Sequence, residues 1–528
     1  MKKLIYVLLL FTVFTACKED LGSYEYTDIN MLTIENIQET YLVSSGASPE
    51  IYPELEFTKD IHYKEDDYEF EWVSFKAGSL PGDKRSTVHK GKNFDVAFPL
   101  GIGTYEMFYV VKEKATGMSW RHKFSIRVEG TYRGGWAILY AAGDNAQVDY
   151  FEYNHANGDY PKSYRNFTKL FADGSTGKGF SLRGEPKFIQ GWSVRNPSTG
   201  AASKYQLYMG ADNTEKINIT DGFVWDERYA FIFETAGGSA MTSIEKLYPV
   251  SAGSGFAYSN GNAFLTYNVF QYNFGTPINR LANGETFPIA PYIAINRVSS
   301  SSFIGLMYDT KNKRFVRSTG GGQTSTTPLA YNPASAAFDP NDVGMDLVWM
   351  GATNFSGGWA YAVLTKDNRY YLARMQNASA FVAQYLDEIT DIPQIAQATA
   401  FAVDQLYGYM QYAVGGKLYQ YDAGETKQAY LMKDFGSRQI SMLKYDQGVV
   451  VPLSAAQNAN NVATFGKRFL PALTALICAT YDPANPSASG HVDFFETPQF
   501  NGAYETYYSF DGMGKVKDVC NVETPYGW

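Results

Sequence analysis

Short apolar runs separated by turn residues dominate the chain beyond Gly130. In Phe401–Asp422, an apolar and aromatic run meets Gly415-Gly416, and a short alternating run follows. Two such runs joined by glycine predict a β-hairpin, because a tight primed turn needs positive φ angles. Similar hairpins are predicted around seven turn centres: Asp144, Asp212, Gly261, Lys311, Asp367, Gly415 and Pro486.

The seven turns lie about 57 residues apart on average, within the broad range of a propeller blade that carries long loops. The intervals are uneven, so this periodicity is structural and not a clean repeat of sequence. Closing such a repeat into a ring removes exposed sheet edges. We therefore predict a seven-bladed β-propeller over residues 131–528, with helical pattern only in the short segments Phe381–Ile389 and Pro393–Ala400.

Residues 31–130 have the pattern of a separate β domain. Tyr68–Val73, Phe94–Phe98, Gly103–Val111 and Trp120–Val128 alternate polar and apolar residues, as half-buried strands do. Short strands at this spacing predict a β-sandwich of the immunoglobulin type. The short glycine-bearing link after this domain marks the boundary with the propeller region.

Composition supports an all-β protein. The chain has 41 Tyr, 35 Phe and 48 Gly, and aromatic side chains pack well on pleated sheets while glycines occupy turns. A net charge of -9 argues against broad capture of nucleic acid, which needs a basic surface.

The first residues have the layout of an export signal. Lys2 and Lys3 precede Leu4–Phe14, an apolar stretch too short to span a bilayer as a helix. Small residues then precede Cys17, so residues 1–16 resemble the signal peptide of a bacterial lipoprotein, whose cysteine thiol is acylated. The alternative is an ordinary secretory signal with an incidental cysteine.

The residues after Cys17 add a second resemblance. Lys18-Glu19-Asp20 is similar to the signal that directs lipoproteins of the Bacteroidetes to the outer face of the outer membrane. The alternative is a plain solvated linker. We expect residues 17–30 to form a lipid-anchored linker at the cell surface.

The segment Leu21–Asn30 reads Leu-Gly-Ser-Tyr-Glu-Tyr-Thr-Asp-Ile-Asn. With the cysteine and acidic residues before it, this segment resembles the start of the PKD-like lipoproteins of Bacteroidetes. The order of Trp72, the Gly-x-Tyr at Gly103–Tyr105 and a final strand is also similar to a PKD domain. The resemblance implies an outer-membrane lipoprotein of a nutrient-uptake locus, whose partners are a TonB-dependent transporter and its substrate-binding lipoprotein.

Motifs for catalysis and metal binding are lacking. The five histidines are scattered, and the chain has no H-E-x-x-H motif, no paired-cysteine zinc spacing, no G-x-S-x-G elbow and no phosphate-binding loop. Asp339–Asp342 with Asp346 offers oxygen ligands for Ca²⁺, but turn formation is the better interpretation. We expect no metal and no cofactor. Cys478 and Cys520 either form a disulfide or are buried thiols.

Three functions follow from these observations. The favoured one is a non-enzymatic accessory lipoprotein that captures oligosaccharide or oligopeptide beside the transporter, or braces the complex. The second is a propeller glycoside hydrolase or lyase, which requires converging carboxylates at the central channel. The third is a structural, protein-binding scaffold. Aromatic rings stack on sugars and peptides, so the candidate ligand-binding residues, each also compatible with a core role, are Trp192, Trp225, Trp349 and Trp359.

Overall fold

A computed structural model describes residues 29–44, 46–76, 86–100, 103–129, 134–154, 159–172, 176–195, 202–219, 225, 243–251, 254–266, 274–297, 303–320, 322–424, 426–446 and 474–522. Over these residues the protein is all-β, with 56% strand. The short 3-10 turns among them are Glu65–Asp67, Phe167–Leu170, Phe355–Gly357 and Ile395–Gln397. The chain divides into two compact units between Val128 and Glu129.

The N-terminal unit contains two antiparallel sheets over one apolar core. Its strands are β1 (Leu32–Glu35), β2 (Thr40–Ser44), β3 (Glu54–Phe57), β4 (Tyr68–Lys76), β5 (Ser86–Lys90), β6 (Gly103–Glu113) and β7 (Ser119–Glu129). One sheet pairs β1 with β3, and the other has the order β2-β7-β6-β4-β5. Strand β6 forms because its alternate residues are apolar, which places Met107, Tyr109 and Val111 in the core.

Trp72 is at the centre of this core. Its side chain is fully buried, its ring centroid lies 4.3 Å from that of Tyr109, and its Nε1 donates to the Gly91 carbonyl at 2.9 Å. The predicted strand Phe94–Phe98 is wrong, since only Phe94 forms a bridge there, with Ile51. Both phenylalanines are buried, so the alternation reflects burial of an irregular loop.

The second unit contains seven antiparallel sheets in its described residues. The first consists of β8 (Gly135–Ala142), β9 (Asn145–Asn154), β10 (Asp159–Tyr164) and β11 (Leu182–Arg183). The next three have three strands each: β12 (Phe188–Arg195), β13 (Ala202–Gly210) and β14 (Thr214–Asn218); β15 (Lys246–Ser251), β16 (Ser254–Ser259) and β17 (Asn262–Thr266); β18 (Ala294–Arg297), β19 (Phe303–Asp309) and β20 (Arg314–Ser318).

The last three sheets have four strands each. They consist of β21 (Asp346–Thr353), β22 (Trp359–Lys366), β23 (Arg369–Asn377) and β24 (Phe381–Glu388); β25 (Ala400–Val403), β26 (Met410–Val414), β27 (Lys417–Tyr421) and β28 (Ala429–Asp434); β29 (Gln439–Tyr445), β30 (Leu476–Tyr481), β31 (Gly490–Glu496) and β32 (Glu505–Met513). The final strand, β33 (Val516–Val522), returns to the first sheet and pairs with β8.

All seven predicted hairpins are confirmed. Each turn centre lies between two paired strands of the same sheet. The seven hairpins belong to seven different sheets, the first hairpin being β8–β9 and the last β30–β31. Positive φ angles occur at Asn260, Gly261 and Gly415, as primed hairpin turns require. The helical prediction for Phe381–Ile389 is wrong, because Phe381–Glu388 forms strand β24 and pairs with β23. The other predicted helix contains only a 3-10 turn, Ile395–Gln397.

Consecutive sheets of the second unit share apolar cores. Strands such as β16 and β19 are buried along their whole length, because a neighbouring sheet covers each face. A separate apolar cluster lies between each sheet and the next, and a seventh cluster lies between the seventh sheet and the first. Along the inner edge, contacts run from β12 through β15, β18, β21, β25 and β29 to β33, which contacts β12.

A histidine links β31 to β32 at the outer part of the seventh sheet. His491 Nε2 lies 3.0 Å from Asp493 Oδ1, and His491 Nδ1 contacts Asp511. Ser509 Oγ donates to the same Asp493 oxygen at 2.6 Å. The hydrogen bond to Asp493, together with that to Asp511, raises the pKa of His491 against the opposing effect of burial.

This arrangement predicts that stability depends on pH. Because the pKa of His491 is higher in the folded chain, its contribution is complete below the unfolded pKa of about 6.5 and is lost as the pH rises through the folded pKa. The group is partly exposed, so we expect a loss of about 1 kcal/mol or less. Urea unfolding across this pH window should show the loss in the wild type and not in His491→Gln. Parallel pH profiles for the two proteins would contradict the prediction.

Candidate functional site

The inner strands of the second unit enclose a cavity of about 570 Å³. Its walls come from β12, β15, β18, β21, β25, β29 and β33 and from segments directly beside these strands, which include Tyr292 and Ile293 before β18. All seven sheets therefore contribute to one site. A volume of this size suits a small ligand.

The charged residues that line the cavity are mainly lysines. The described lining contains four of them, Lys187, Lys246, Lys444 and Lys517, and two carboxylates, Asp446 and Asp518. This balance is opposite in sign to the net charge of the chain, -9. The cavity is thus a basic site in an acidic protein.

Lys444 and Asp518 form an ion pair that connects three strands. Lys444 Nζ lies 2.9 Å from Asp518 Oδ1 and donates to the Val519 carbonyl at 2.8 Å. The other Asp518 oxygen accepts the backbone N–H of Ile189 at 3.0 Å. Burial acts to lower the pKa of Lys444, but attraction to Asp518 and Asp446 outweighs it and raises the pKa. This lysine is therefore a charged, structural member of the site.

Lys246 differs from Lys444 in its surroundings. Its Nζ lies 4.3 Å above the ring centroid of Tyr292, a cation–π contact. Burial lowers the pKa of Lys246 to about 8, with a smaller opposing effect from Asp518. A lysine with this pKa is largely protonated near neutral pH but can lose its proton within an accessible pH range.

The pKa of Lys246 is a direct prediction. In ¹³C-dimethylated protein, one lysine resonance should titrate with a midpoint of about 8 and disappear from the spectrum of Lys246→Gln. Asp518→Asn should lower this midpoint further, because Asp518 stabilises the charged form. A midpoint near the ordinary lysine value of about 10.4, or no response to Asp518→Asn, would contradict the prediction.

Aromatic side chains form the apolar part of the lining. Trp349 and Phe401, from β21 and β25, stack with ring centroids 5.6 Å apart and an interplanar angle of 25°. Tyr248 is fixed by donation from its hydroxyl to the Pro291 carbonyl at 3.0 Å. Rings and ammonium groups thus face the same space, which suits a ligand with a charged group beside an apolar or ring surface.

Of the four tryptophans predicted as candidates, Trp349 lines the cavity. Trp192 and Trp225 are buried in the cores between sheets, and Trp225 Nε1 donates to Glu215 at 3.4 Å. Trp359 packs partly buried between the fifth and sixth sheets, stacked on Tyr385. These three are not among the described residues that line the cavity.

The cavity lysines belong to no catalytic motif and are not aromatic, so the sequence patterns did not indicate them. One local signal was present. Lys187 and Lys246 each begin an apolar run, Lys187–Ile189 and Lys246–Tyr248, in consecutive sheets. A lysine at or directly before the start of the innermost strand in more than one sheet indicates a charged inner edge.

The structure also describes the two cysteines and the acidic turn at Asp339. Cys478 and Cys520 are free and buried, on β30 and β33, so the disulfide alternative is not realised. Asp339 Oδ1 accepts the N–H of Asn341 at 2.8 Å, which is the predicted turn interaction. Cys17 and the tripeptide Lys18-Glu19-Asp20 lie outside the described residues.

The described residues contain neither a cluster suited to a metal ion nor a helix suited to a membrane. Within the described ranges, no group of three or more His, Cys, Asp or Glu side chains is placed to hold a metal ion. The same part of the chain contains no helix with the length and apolarity needed to cross a membrane.

Several solved structures resemble the chain at low sequence identity. A quinonprotein alcohol dehydrogenase-like protein from Bacteroides thetaiotaomicron has a TM-score of 0.36 and 11% identity, covering 92% of this chain and 96% of its own. A Lactobacillus plantarum protein has a TM-score of 0.35 and 8% identity, covering 74% and 100%. PorZ, a surface component of the type-IX secretion system of Porphyromonas gingivalis, has a TM-score of 0.30 and 9% identity, covering 78% and 57%.

No curated protein matches the sequence of this chain. A family model does match its first part. The matched region includes all of the N-terminal unit from Cys17 onward and continues to the start of β11 in the first sheet of the second unit. Residues 17–182 are thus similar to the PKD-like family.

Proposed function

We propose that the second unit is a closed seven-bladed β-propeller with the cavity on its axis. Each of the seven sheets shares an apolar core with the next, and the seventh shares one with the first. The pairing of β33 with β8 joins the last strand of the chain to the first sheet. Such pairing of terminal strands within one blade holds a ring together without exposed edges.

The protein's proposed role is that of a ligand-binding accessory lipoprotein. It is anchored to the outer membrane by acylated Cys17, and Lys18-Glu19-Asp20 directs it to the cell surface. There it captures an oligosaccharide or oligopeptide beside a TonB-dependent transporter and the substrate-binding lipoprotein of that transporter. The lined central cavity is the observation that carries ligand capture, and the match of residues 17–182 to the PKD-like family supports the cell-surface context.

Binding is favoured over glycoside hydrolysis by the state of the cavity carboxylates. Hydrolysis requires two carboxyl groups free to face the scissile bond. Asp518 is engaged by Lys444 and the Ile189 N–H, and Asp446 accepts the N–H of Asn521 at 2.6 Å. Both cavity carboxylates of the described lining therefore already have structural partners.

Purification from native outer membranes tests the accessory role. The tagged full chain is isolated in mild detergent, and the co-purifying proteins are quantified by mass spectrometry. A transporter and its substrate-binding lipoprotein in near-equal amounts are expected. Cys17→Ala serves as the control, because it removes the acylated thiol and should abolish recovery of the complex from membranes. Recovery of the wild-type protein alone would overturn the accessory role.

Surface display is tested separately in intact cells. Proteinase K added outside should digest the wild-type protein. Replacement of Lys18-Glu19-Asp20 by three alanines should protect it while leaving its acylation and total amount unchanged. Equal digestion of the two proteins would show that the tripeptide is only a linker.

A further inference from the structure

We propose that the cavity binds its ligand through a carboxylate group, and that the ammonium group of Lys246 is the main contact for this carboxylate. The inference rests on the proposed function, which it deepens by naming the chemical class of the ligand. The shared chemistry is a carboxylate beside an apolar or ring surface, which an acidic sugar or an acidic peptide side chain supplies.

The first argument is the balance of charge around the cavity. Lys444 and Asp518 form an ion pair at 2.9 Å, so their charges compensate each other. Lys187 lies 3.9 Å from Asp212, whose side chain is 70% exposed, and such a contact is weak. Lys517 is exposed on β33. With Asp446 counted as the second carboxylate, the described lining still has two more lysines than carboxylates, and this excess positive charge favours an anion.

The second argument is the position of Lys246. An ammonium group has three N–H donors, and no described oxygen atom accepts a hydrogen bond from Lys246. Its close contact is the face of the Tyr292 ring. A partly buried ammonium without an oxygen acceptor gains most when a ligand supplies a charged one.

Charged groups from several neighbouring strands act on Lys246. Asp518 and Lys517 face it from β33, Lys444 from β29, and Glu245 precedes it in the chain, while Tyr292 lies before β18. Asp518 lies on the same side as the proposed site and repels anions. A singly charged carboxylate meets less of this repulsion than a doubly charged phosphate.

The aromatic lining selects what is attached to the carboxylate. Trp349, stacked on Phe401, presents a ring surface in the same cavity. A sugar ring or an apolar peptide segment packs on such a surface. The ligand class is thus an acidic residue within a short oligomer.

Matched probe pairs test the proposal with the full-length protein in detergent. The sugar pair is trigalacturonate and galactotriose, and the peptide pair is acetyl-Ala-Glu-Ala-amide and acetyl-Ala-Gln-Ala-amide. Binding is measured by titration calorimetry. One acidic probe should bind at least about tenfold more tightly than its neutral partner, and the pair that does so identifies the source of the carboxylate.

The pH dependence assigns the contact to Lys246. Since Lys246 is charged below a pKa of about 8, affinity for the acidic probe should fall about tenfold between about pH 7 and about pH 9. Lys246→Arg should bind at both pH values without this fall, because arginine stays charged. Lys246→Gln should lose about tenfold or more at neutral pH. Lys515→Gln, outside the cavity but also above a tyrosine ring, should match the wild type.

Each contrary result has a defined meaning. Equal affinity for acidic and neutral probes, or preference for a phosphorylated sugar, overturns the carboxylate assignment and leaves ligand capture in place. Wild-type affinity in Lys246→Gln overturns the role of Lys246. Absence of binding by all four probes overturns the inference, whereas the accessory role stands or falls on membrane co-purification. An unchanged thermal midpoint in Lys246→Gln excludes misfolding as the cause of its loss of affinity.

Discussion

Replacing Asp309 with alanine is expected to destabilise the second unit by about 2–4 kcal/mol. The Asp309 side chain is fully buried. One oxygen accepts the backbone N–H groups of Lys311 and Asn312, both at 3.0 Å. The other accepts Arg314 Nε at 2.9 Å and the Asn312 side chain at 2.7 Å. Alanine leaves the two backbone N–H groups and Arg314 Nε without this acceptor, while Glu285 still accepts from Arg314 Nη2 and from the Asn312 side chain.

Asp346 supplies a matched control near the same hairpin. It pairs with Lys313 at 3.0 Å, but its side chain is 66% exposed. Water therefore screens the pair, and Asp346→Ala should change stability by about 0–1 kcal/mol. Urea unfolding followed by tryptophan fluorescence measures both variants. Asp309→Ala within about 1 kcal/mol of Asp346→Ala would show that the buried network adds little.

The hairpins were predictable because their chemistry is local. Asn260, Gly261, Asp367, Asn368 and Gly415 all have positive φ angles. Glycine adopts these angles without strain, and asparagine and aspartate tolerate them better than other residues. A turn residue between two apolar runs can therefore be recognised in the sequence, even where the hairpins differ in sequence from one another.

The outer strands were less predictable, as β24 shows. Only its first residues are buried in alternation, and its later residues are partly exposed. Its identity depends on pairing with β23, which is a tertiary interaction that overrides weak local preference. The prediction of a strand at Phe94–Phe98 was wrong for the opposite reason. The phenylalanines there are buried although the segment forms no strand.

The cavity could not be predicted from local patterns. Lys187, Lys246, Lys444 and Lys517 come from four different sheets, and each one alone is an ordinary charged residue beside an apolar run. Only the order of sheets around the inner edge brings the four lysines together. The low pKa of Lys246 likewise arises from burial by other strands, which its own sequence neighbours do not encode.

Deleting residues 516–528 is expected to prevent the second unit from folding as one cooperative structure. Strand β33 pairs with β8 over its whole length. Val519 is fully buried in the core that the first sheet shares with the seventh. Cys520 is fully buried in the core that the first sheet shares with the second. The deletion also removes Asp518, leaving Lys444 without its ion-pair partner. Loss of a strand that fills two cores exceeds any single cavity-forming substitution, each of which costs about 2–5 kcal/mol.

The test compares this deletion with the shorter deletion of residues 523–528, which retains all of β33. Calorimetry should show a cooperative transition of the second unit for the shorter deletion and its loss for the longer one. Ala137 and Cys520 lie directly opposite in the β33–β8 register, so Ala137→Cys should form a disulfide. Oxidation of that variant should raise its unfolding temperature above that of its reduced form, because the bond joins the first and last strands of the second unit. A cooperative transition that survives the longer deletion would mean that the seven sheets hold together without the pairing of β33 with β8.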